Sequence, residues 1–243
     1  MKPDAVIIIP SRIASTRLLN KPLQKIGEKT VIEWVAYQAT NANICDVFIA
    51  CCSEQLSETL KNLGYNVILT DPKIASGSDR VYAAYTKLEK NYKYIINIQG
   101  DMPFIKLSTI QAVYNLLKSK DTDIATVATE VDYQKRMADD SVVEAIVANT
   151  GKALYFTRAY DRKRQGIALE HIGIYGYTKE ALEKFSSLNQ SPLEKRERLE
   201  QLRALENNMK IYVDIVDDPH ISVDTQDDLM RARAYYKELL EKQ

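Results

Sequence analysis

Three cations, Arg12, Arg17 and Lys21, fall within a span of ten residues that contains no acid, in a chain with no glycine before Gly27. A segment of that kind suits a polyanion held by side-chain charge. Neither G-x-x-x-x-G-K-[ST] nor G-x-G-x-x-G occurs there, so backbone amides would contribute less than in the familiar glycine-rich phosphate loops. The same three cations would also suit a solvated basic surface, and their spacing leaves both readings open. Two acids follow much later, Asp101 and Asp224, each just after an apolar run. Carboxylates that converge opposite a cationic loop are what Mg²⁺ with a triphosphate requires. Magnesium accepts one or two carboxylates and keeps its other positions for phosphate oxygens and water. Asp224 reads equally as a helix N-cap in Asp-Thr-x-x-Asp, and Asp101 as a turn residue beside Gly100, a glycine expected to take unusual dihedrals.

Other polar residues carry less by themselves. His171 precedes a run rich in Ile, Gly and Tyr, where a single histidine is more often structural than catalytic. Glu200 and Gln201 lie on a helical stretch that would normally be solvated, and Arg158 suits an ordinary surface cation. Cys45, Cys51 and Cys52 lack C-x-x-C spacing, and His171 and His220 are the only histidines. A zinc site is therefore disfavoured, and reduced, mostly buried thiols of a cytosolic protein are expected.

The elements that must position these residues alternate. Ala5 to Ile9 is apolar and β-branched, suited to a strand buried on both faces, and Pro10 stops its ladder. Thr30 can cap a helix carrying Val31, Trp34 and Val35. Val47 to Cys51 reads as a strand, Ser53 as the cap of a helix closed by Gly64, and Asn66 to Thr70 as a third strand. This is the order of a parallel sheet with crossover helices, whose ligands bind beyond the carboxyl ends of the strands. A loop over Asp71 to Ser78, a helix from about Asp79 to Glu89 and a strand over Tyr94 to Ile98 follow. Ser108 opens another helix, and Asp123 to Thr129 forms a strand. Then the alternation loosens: Val142–Val147 and Ala153–Phe156 form a hairpin around Asn149-Thr-Gly151, and Ile172 to Tyr177 is a strand. Pro192 opens a charged helix, Lys210 to Ile215 and Ile221 to Val223 are strands, and Thr225 begins a last helix. The expected fold is α/β: a Rossmann-like, mostly parallel sheet flanked by helices, in one domain over 1–243 with a smaller β-rich lobe inserted at about 131–190.

At 243 residues the chain can bury a core without disulfides or metals. Lysine plus arginine equals aspartate plus glutamate at 33 each, so any anion site must be a local concentration of charge, and nucleic acid is not an expected partner. The first apolar run is too short for a signal-peptide core and no stretch reaches membrane-spanning length. A soluble, cytoplasmic protein without membrane attachment is expected.

Over almost its whole length, from Val6 to about Ala232, the chain resembles the 3-deoxy-manno-octulosonate (Kdo) cytidylyltransferase family. The matching stretches are Ile-Pro-Ser-Arg-Ile-Ala-Ser-Thr-Arg-Leu (9–18), Asn-Lys-Pro-Leu (20–23), Ser-Gly-Ser-Asp-Arg (76–80) and Gln-Gly-Asp (99–101). They continue with Ala-Leu-Tyr-Phe-Thr-Arg (153–158), His-Ile-Gly-Ile-Tyr-Gly-Tyr (171–177), Leu-Glu-Gln-Leu-Arg (199–203) and Val-Asp-Thr (223–225). Each is weak alone; in this order and spacing they are specific. The resemblance implies transfer of CMP from CTP to Kdo, with release of pyrophosphate, for lipopolysaccharide synthesis. It implies that Arg12, Lys21 and Arg17 grip the triphosphate, and that Pro10, Ser76, Gly77 and Gln99 frame the nucleotide. Asp101 and Asp224 would hold Mg²⁺, and Arg80, Arg158, His171, Tyr175, Glu200 and Gln201 would face the sugar acid. A homodimer pairing through the inserted lobe is also implied.

The chain departs from that pattern at Met102, where an acid is usual, at Cys51–Cys52, at Leu19, and at Glu144, where a lysine is expected. The segment from Tyr160 to Leu169 is short as well. An amino-Kdo or a sialic acid are the rival acceptors, and a nucleotide-binding module without catalysis is the rival of another class. A dehydrogenase is disfavoured because the first loop lacks its glycines.

Overall fold

The structure is a computed structural model that describes residues 4–13, 17–74, 76–119, 121–136, 139, 141–218 and 220–241. Of the first motif, the stretch 14–16 lies outside the described residues. In chain order the elements are β1 (Ala5–Ser11), a 3-10 turn at Lys21–Leu23, β2 (Lys25–Ile26), β3 (Lys29–Thr30), α1 (Val31–Asn41), β4 (Asp46–Cys51), α2 (Glu54–Asn62), β5 (Val67–Leu69), α3 (Gly77–Tyr85) and β6 (Tyr94–Ile98). There follow α4 (Leu107–Ser119), β7 (Ile124–Asp132), α5 (Tyr133–Arg136), β8 (Glu144–Val147), β9 (Ala153–Thr157), β10 (Ile167–Thr178), α6 (Lys179–Ser187), α7 (Pro192–Glu197), α8 (Gln201–Glu206), β11 (Ile211–Ile215) and α9 (Gln226–Glu241). The fold is mixed α/β, built on a mostly parallel sheet flanked by helices. Two compact units divide it: residues 1–92, 97–110 and 220–243 form one, and residues 93–96 and 111–219 the other.

In the first unit β1 pairs in parallel with β4, from Val6 opposite Asp46 to Ser11 opposite Cys51, and β4 pairs in parallel with β5. Ala5 through Ile9 are wholly buried, as the uncharged β-branched run requires, each large side chain contributing roughly 1.5–3 kcal/mol by burial. Thr30 and Glu33 form a reciprocal capping box at the start of α1. Ser53 caps α2 through the amide of Leu56, and Gly64 follows that helix with φ 87°. Helix α3 begins at Gly77 rather than at about Asp79, because the Ser76 hydroxyl accepts the amide of Asp79 at 3.0 Å and so captures the turn between them. The expected strand over Ile221–Val223 does not form a ladder. Instead, Val223 donates one backbone bond to the carbonyl of Asp101 at 2.9 Å.

One apolar cluster of this unit gathers Leu18, Ile26, Val31, Trp34, Phe104, Val223, Leu229 and Ala232. Its members flank Lys21, Asp101 and Asp224. Leu18 lies three residues before Lys21, Phe104 three after Asp101, and Val223 immediately before Asp224. Hydrophobic packing therefore brings together chain segments that are remote in sequence.

In the second unit β7 pairs in parallel with β11 and antiparallel with β10, and β10 continues antiparallel to β8, which forms the expected hairpin with β9. The register of β10 against β7 shifts between Ile172 and Tyr175. Gly176 lies under α4: a methyl group built there would come within 2.7 Å of Val113 Cγ1, so only glycine admits the helix at that distance.

Candidate active site

Lys21 and the two acids meet in the first unit. The Lys21 ammonium donates to Asp101 Oδ2 at 2.8 Å and to Asp224 Oδ1 at 2.9 Å. The two carboxylate oxygens are thus no farther apart than those two bonds laid end to end. Arg17 Nη2 lies 3.3 Å from the same Asp224 oxygen, with its side chain 62% exposed. Burial alone would lower the Lys21 pKa, but Asp101 and Asp224 together outweigh it and hold the ammonium above its ordinary value.

Each group is placed by local chemistry. Lys21 opens a short 3-10 turn, preceded by Asn20 in the left-handed region (φ 51°) and followed by the buried ring of Pro22. Asp101 follows Gly100, whose φ is not positive, contrary to the expectation of unusual dihedrals. Space is what demands the glycine: an added Cβ would stand 2.7 Å from the carbonyl oxygen of Pro10. The turn Gln99-Gly100-Asp101 therefore lies against the end of β1. The rival N-cap reading of Asp224 is resolved by its neighbours. Asp228 accepts from the amides of Asp224 at 3.0 Å and Thr225 at 2.8 Å, while Thr225 Oγ1 accepts from the amide of Asp228 at 3.2 Å. Thr225 and Asp228 thus cap α9 between them, which leaves the Asp224 carboxylate to Lys21 and Arg17.

Arg12 is exposed just beyond β1 and has no ion-pair partner among the described residues. Pro10, Gly77 and Gln99 adjoin one another: a Cβ built on Gly77 would lie 3.5 Å from Gln99 Oε1 and 3.6 Å from Pro10 Cγ. Gln99 is steadied by Asn97, whose Oδ1 accepts from Gln99 Nε2 at 3.3 Å.

Arg80, expected at the sugar acid, has its guanidinium engaged within the protein. It is 3% exposed, and its guanidinium donates to Thr70 Oγ1 at 2.6 Å and to the carbonyls of Asp71 at 3.2 Å and Ile74 at 2.8 Å. Its three acceptors belong to the loop after β5, so its work is to hold that loop.

The remaining expected residues lie in the second unit. Thr126 Oγ1 lies 2.9 Å from His171 Nε2 and 2.7 Å from the carbonyl oxygen of Ile174. The His171 ring packs edge-on against Phe156, 5.1 Å between centroids, and lies 5.3 Å from the Tyr175 ring. Burial pushes the Tyr175 phenol well above its ordinary pKa; Tyr177 and Glu200 raise it further, and Arg158 opposes them. Arg158 and Glu200 are therefore each within electrostatic reach of Tyr175. Arg158 Nη1 also donates to the carbonyls of Glu197 and Arg198, both at 3.2 Å. Gln201, at the start of α8, is buried. Glu144, the residue standing where a lysine is expected, is bound bidentately by Arg164 at 2.7 and 2.5 Å. Arg164 comes from the segment between Tyr160 and Leu169 that also departs from the family pattern, so two departures answer each other. Met102 is buried, as is Cys51.

Sequence reasoning passed over Asn97 and Thr126, and within Asp-Thr-x-x-Asp it offered Asp224 as the cap where Thr225 with Asp228 supplies it. That pair was readable, since Thr-x-x-Asp before an apolar helix is a capping signal. Nothing in the sequence marks Thr126 as the partner of a histidine far along the chain.

No group of three or more metal-ligating side chains occurs among the described residues. The two carboxylates nonetheless suit a hard cation that draws its other ligands from phosphate and water. They already converge on a cationic nitrogen, and Mg²⁺ fits that donor set. No described helix is long and apolar enough to cross a membrane.

The family model described as cytidylyltransferase matches residues 6–211. The 3-deoxy-manno-octulosonate cytidylyltransferase of Rickettsia felis is 46% identical over 238 residues, covering 97% of this chain and 96% of its own. That of Rickettsia typhi is 47% identical over 237 residues, covering 97% and 98%. Among solved structures, a CMP:2-keto-3-deoxy-manno-octonic acid synthetase complexed with CTP superposes with a TM-score of 0.88 at 30% identity, covering 96% of this chain and 98% of that one.

Proposed function

The chain belongs to the cytidylyltransferase family, and from that premise we propose that it transfers CMP from CTP to the anomeric hydroxyl of Kdo, releasing pyrophosphate. The observation that carries the reading is the convergence of Asp101 and Asp224 on Lys21 beside a loop that also bears Arg12 and Arg17.

CTP and a sugar acid are both anions, so the protein must offset their repulsion before it can align them. In the proposed roles Arg12, Arg17 and Lys21 bind the triphosphate and receive the departing pyrophosphate charge. Pro10, the Ser76–Gly77 turn and Gln99 frame the nucleotide, with Asn97 orienting the Gln99 amide and Arg80 steadying the loop at Thr70–Ile74. Asp101 and Asp224 hold Mg²⁺, which when bound supplies electrophilic stabilisation of phosphate charge and acidifies a hydroxyl. Arg158, His171, Tyr175, Glu200 and Gln201 receive the acceptor. The contact of His171 Nε2 with Thr126 orients the ring. Holding the acceptor hydroxyl in line with the α-phosphate supplies much of the rate, since phosphoryl-type transfers rest on positioning and charge stabilisation. The protein acts in the cytoplasm as a homodimer, pairing through the lobe at about 131–190, and its product serves lipopolysaccharide synthesis.

A pyrophosphate-release assay over CTP, UTP and ATP, each with Kdo, an amino-Kdo or N-acetylneuraminate, tests this. Turnover is expected with CTP and Kdo in the presence of Mg²⁺. Turnover with N-acetylneuraminate alone would reassign the acceptor, and CTP binding without pyrophosphate release would make the protein a binding module. Sedimentation of the purified protein checks the dimer.

A further inference from the structure

The Lys21 ammonium fills the position from which any other cation would touch Asp101 Oδ2 and Asp224 Oδ1 together. It is well enclosed, its side chain 16% exposed against 22% for Asp101 and 34% for Asp224. Its backbone is fixed in the turn before the buried Pro22. The ammonium can therefore leave only by rotating the side chain, which breaks both of its charge-assisted hydrogen bonds.

Resting on the nucleotidyltransferase reading of this site, we propose that Lys21 is a displaceable internal cation. In the nucleotide-free protein it neutralises Asp101 and Asp224 and excludes divalent metal from them, and the triphosphate draws it off, so that metal and nucleotide enter together. Two carboxylates this close repel one another and need a countercharge at every stage. A metal ion arriving alone must evict an ammonium that makes two charge-assisted hydrogen bonds, and leaves that ammonium enclosed without an anion. A triphosphate removes this obstacle. Lys21 exchanges carboxylate oxygens for phosphate oxygens, and the acids exchange Lys21 for the metal that the nucleotide carries. By linkage, nucleotide raises metal affinity by the same factor as metal raises nucleotide affinity.

Mn²⁺ is the probe, with the free ion counted by electron paramagnetic resonance against nucleotide-free protein. Wild type is expected to bind Mn²⁺ weakly and Lys21→Met about 10- to 100-fold more tightly, the usual span of such couplings. Lys21→Arg, which keeps the charge, should stay as weak as wild type, and Lys21→Met with Asp101→Asn should lose the gain. Wild type supplies a second measurement that needs no variant: Mg²⁺ alone should leave the thermal midpoint unmoved, whereas Mg²⁺ with CTP raises it beyond CTP alone. Lys21→Met binding Mn²⁺ no more tightly than wild type, or Mg²⁺ alone raising the midpoint as far as Mg²⁺ with CTP, overturns the proposal while leaving the catalytic reading intact. Failure of wild type to bind Mn²⁺ even with CTP present overturns both.

Discussion

In the first unit one ammonium is divided between two carboxylates, and all three side chains keep some contact with solvent. In the second unit Glu194 and Arg203 bind each other bidentately at 2.8 and 2.6 Å, and both are only 4% exposed. Glu194 also accepts the Ser191 amide at the start of α7, and Arg203 stacks on Phe185. Glu144 with Arg164 and Glu170 with Arg136 repeat the one-to-one pattern on β8 and β10. A buried charge with a partner of its own and every hydrogen bond satisfied is a fastening, and losing the partner is costly. A cation shared by two acids near water is a charge held ready for exchange. Similar ionic groups thus fasten structure in one place and, on the proposed function, serve chemistry in the other.

The sharpest way to break that contrast is to exchange the consequences. Asp101→Ala should leave the far-ultraviolet dichroism unchanged and cut turnover by roughly 10²–10³-fold or more, the scale of removing one group that stabilises developing charge. Near-normal rates would remove Asp101 from the site. Glu194→Ala should do the opposite, costing about 3–5 kcal/mol of stability in urea because Arg203 is left buried and unpaired. A midpoint unchanged in urea would mean that the pair is ornamental.

A smaller effect sharpens the comparison. Thr225→Ala removes one half of the cap on α9 and should cost about 1 kcal/mol. It should also raise the Mg²⁺ concentration needed for half-maximal rate, since the cap leaves Asp224 to the site; an unchanged requirement would separate the two. The smallest is a pH effect. The folded pKa of Lys21 is raised, so its contribution to stability is whole below the unfolded value near 10.5 and is lost as pH climbs through the higher folded value. Going up from neutral pH, the stability difference between wild type and Lys21→Met should therefore hold until strongly alkaline pH and narrow there. Narrowing at neutral pH would contradict a pairing of Lys21 with ionised acids.

Much of the first unit is legible along the chain because its signals are local. Five apolar residues make most of β1, although its ladder does not stop at Pro10 as expected but runs through it to Ser11, the imino nitrogen costing only one donor; Thr30 with Glu33 starts α1, and Gly64 follows α2. What fails is where two local rules compete. Asp224 and Thr225 both suit an N-cap, and only the position of Asp228 three residues after Thr225 decides between them. Ile221–Val223 has strand composition, yet finds a single backbone acceptor in place of a neighbouring strand. Arg80 sits in one of the stretches that carry the family resemblance, but its guanidinium is held by three acceptors that become neighbours only when the loop after β5 folds back. The family resemblance names the acids and the lysine; that they touch one another is a tertiary fact.

The bond from the Val223 amide to the Asp101 carbonyl joins positions separated by about half the chain. Ribosomal synthesis delivers the Asp101 side long before its partner, and contacts of such wide separation close late. A nascent chain halted after β11 would own its cationic loop and its first acid while lacking the second. On the role proposed for Asp224, competence for catalysis is acquired near the end of maturation, and an interrupted product is expected to be inert rather than partly active.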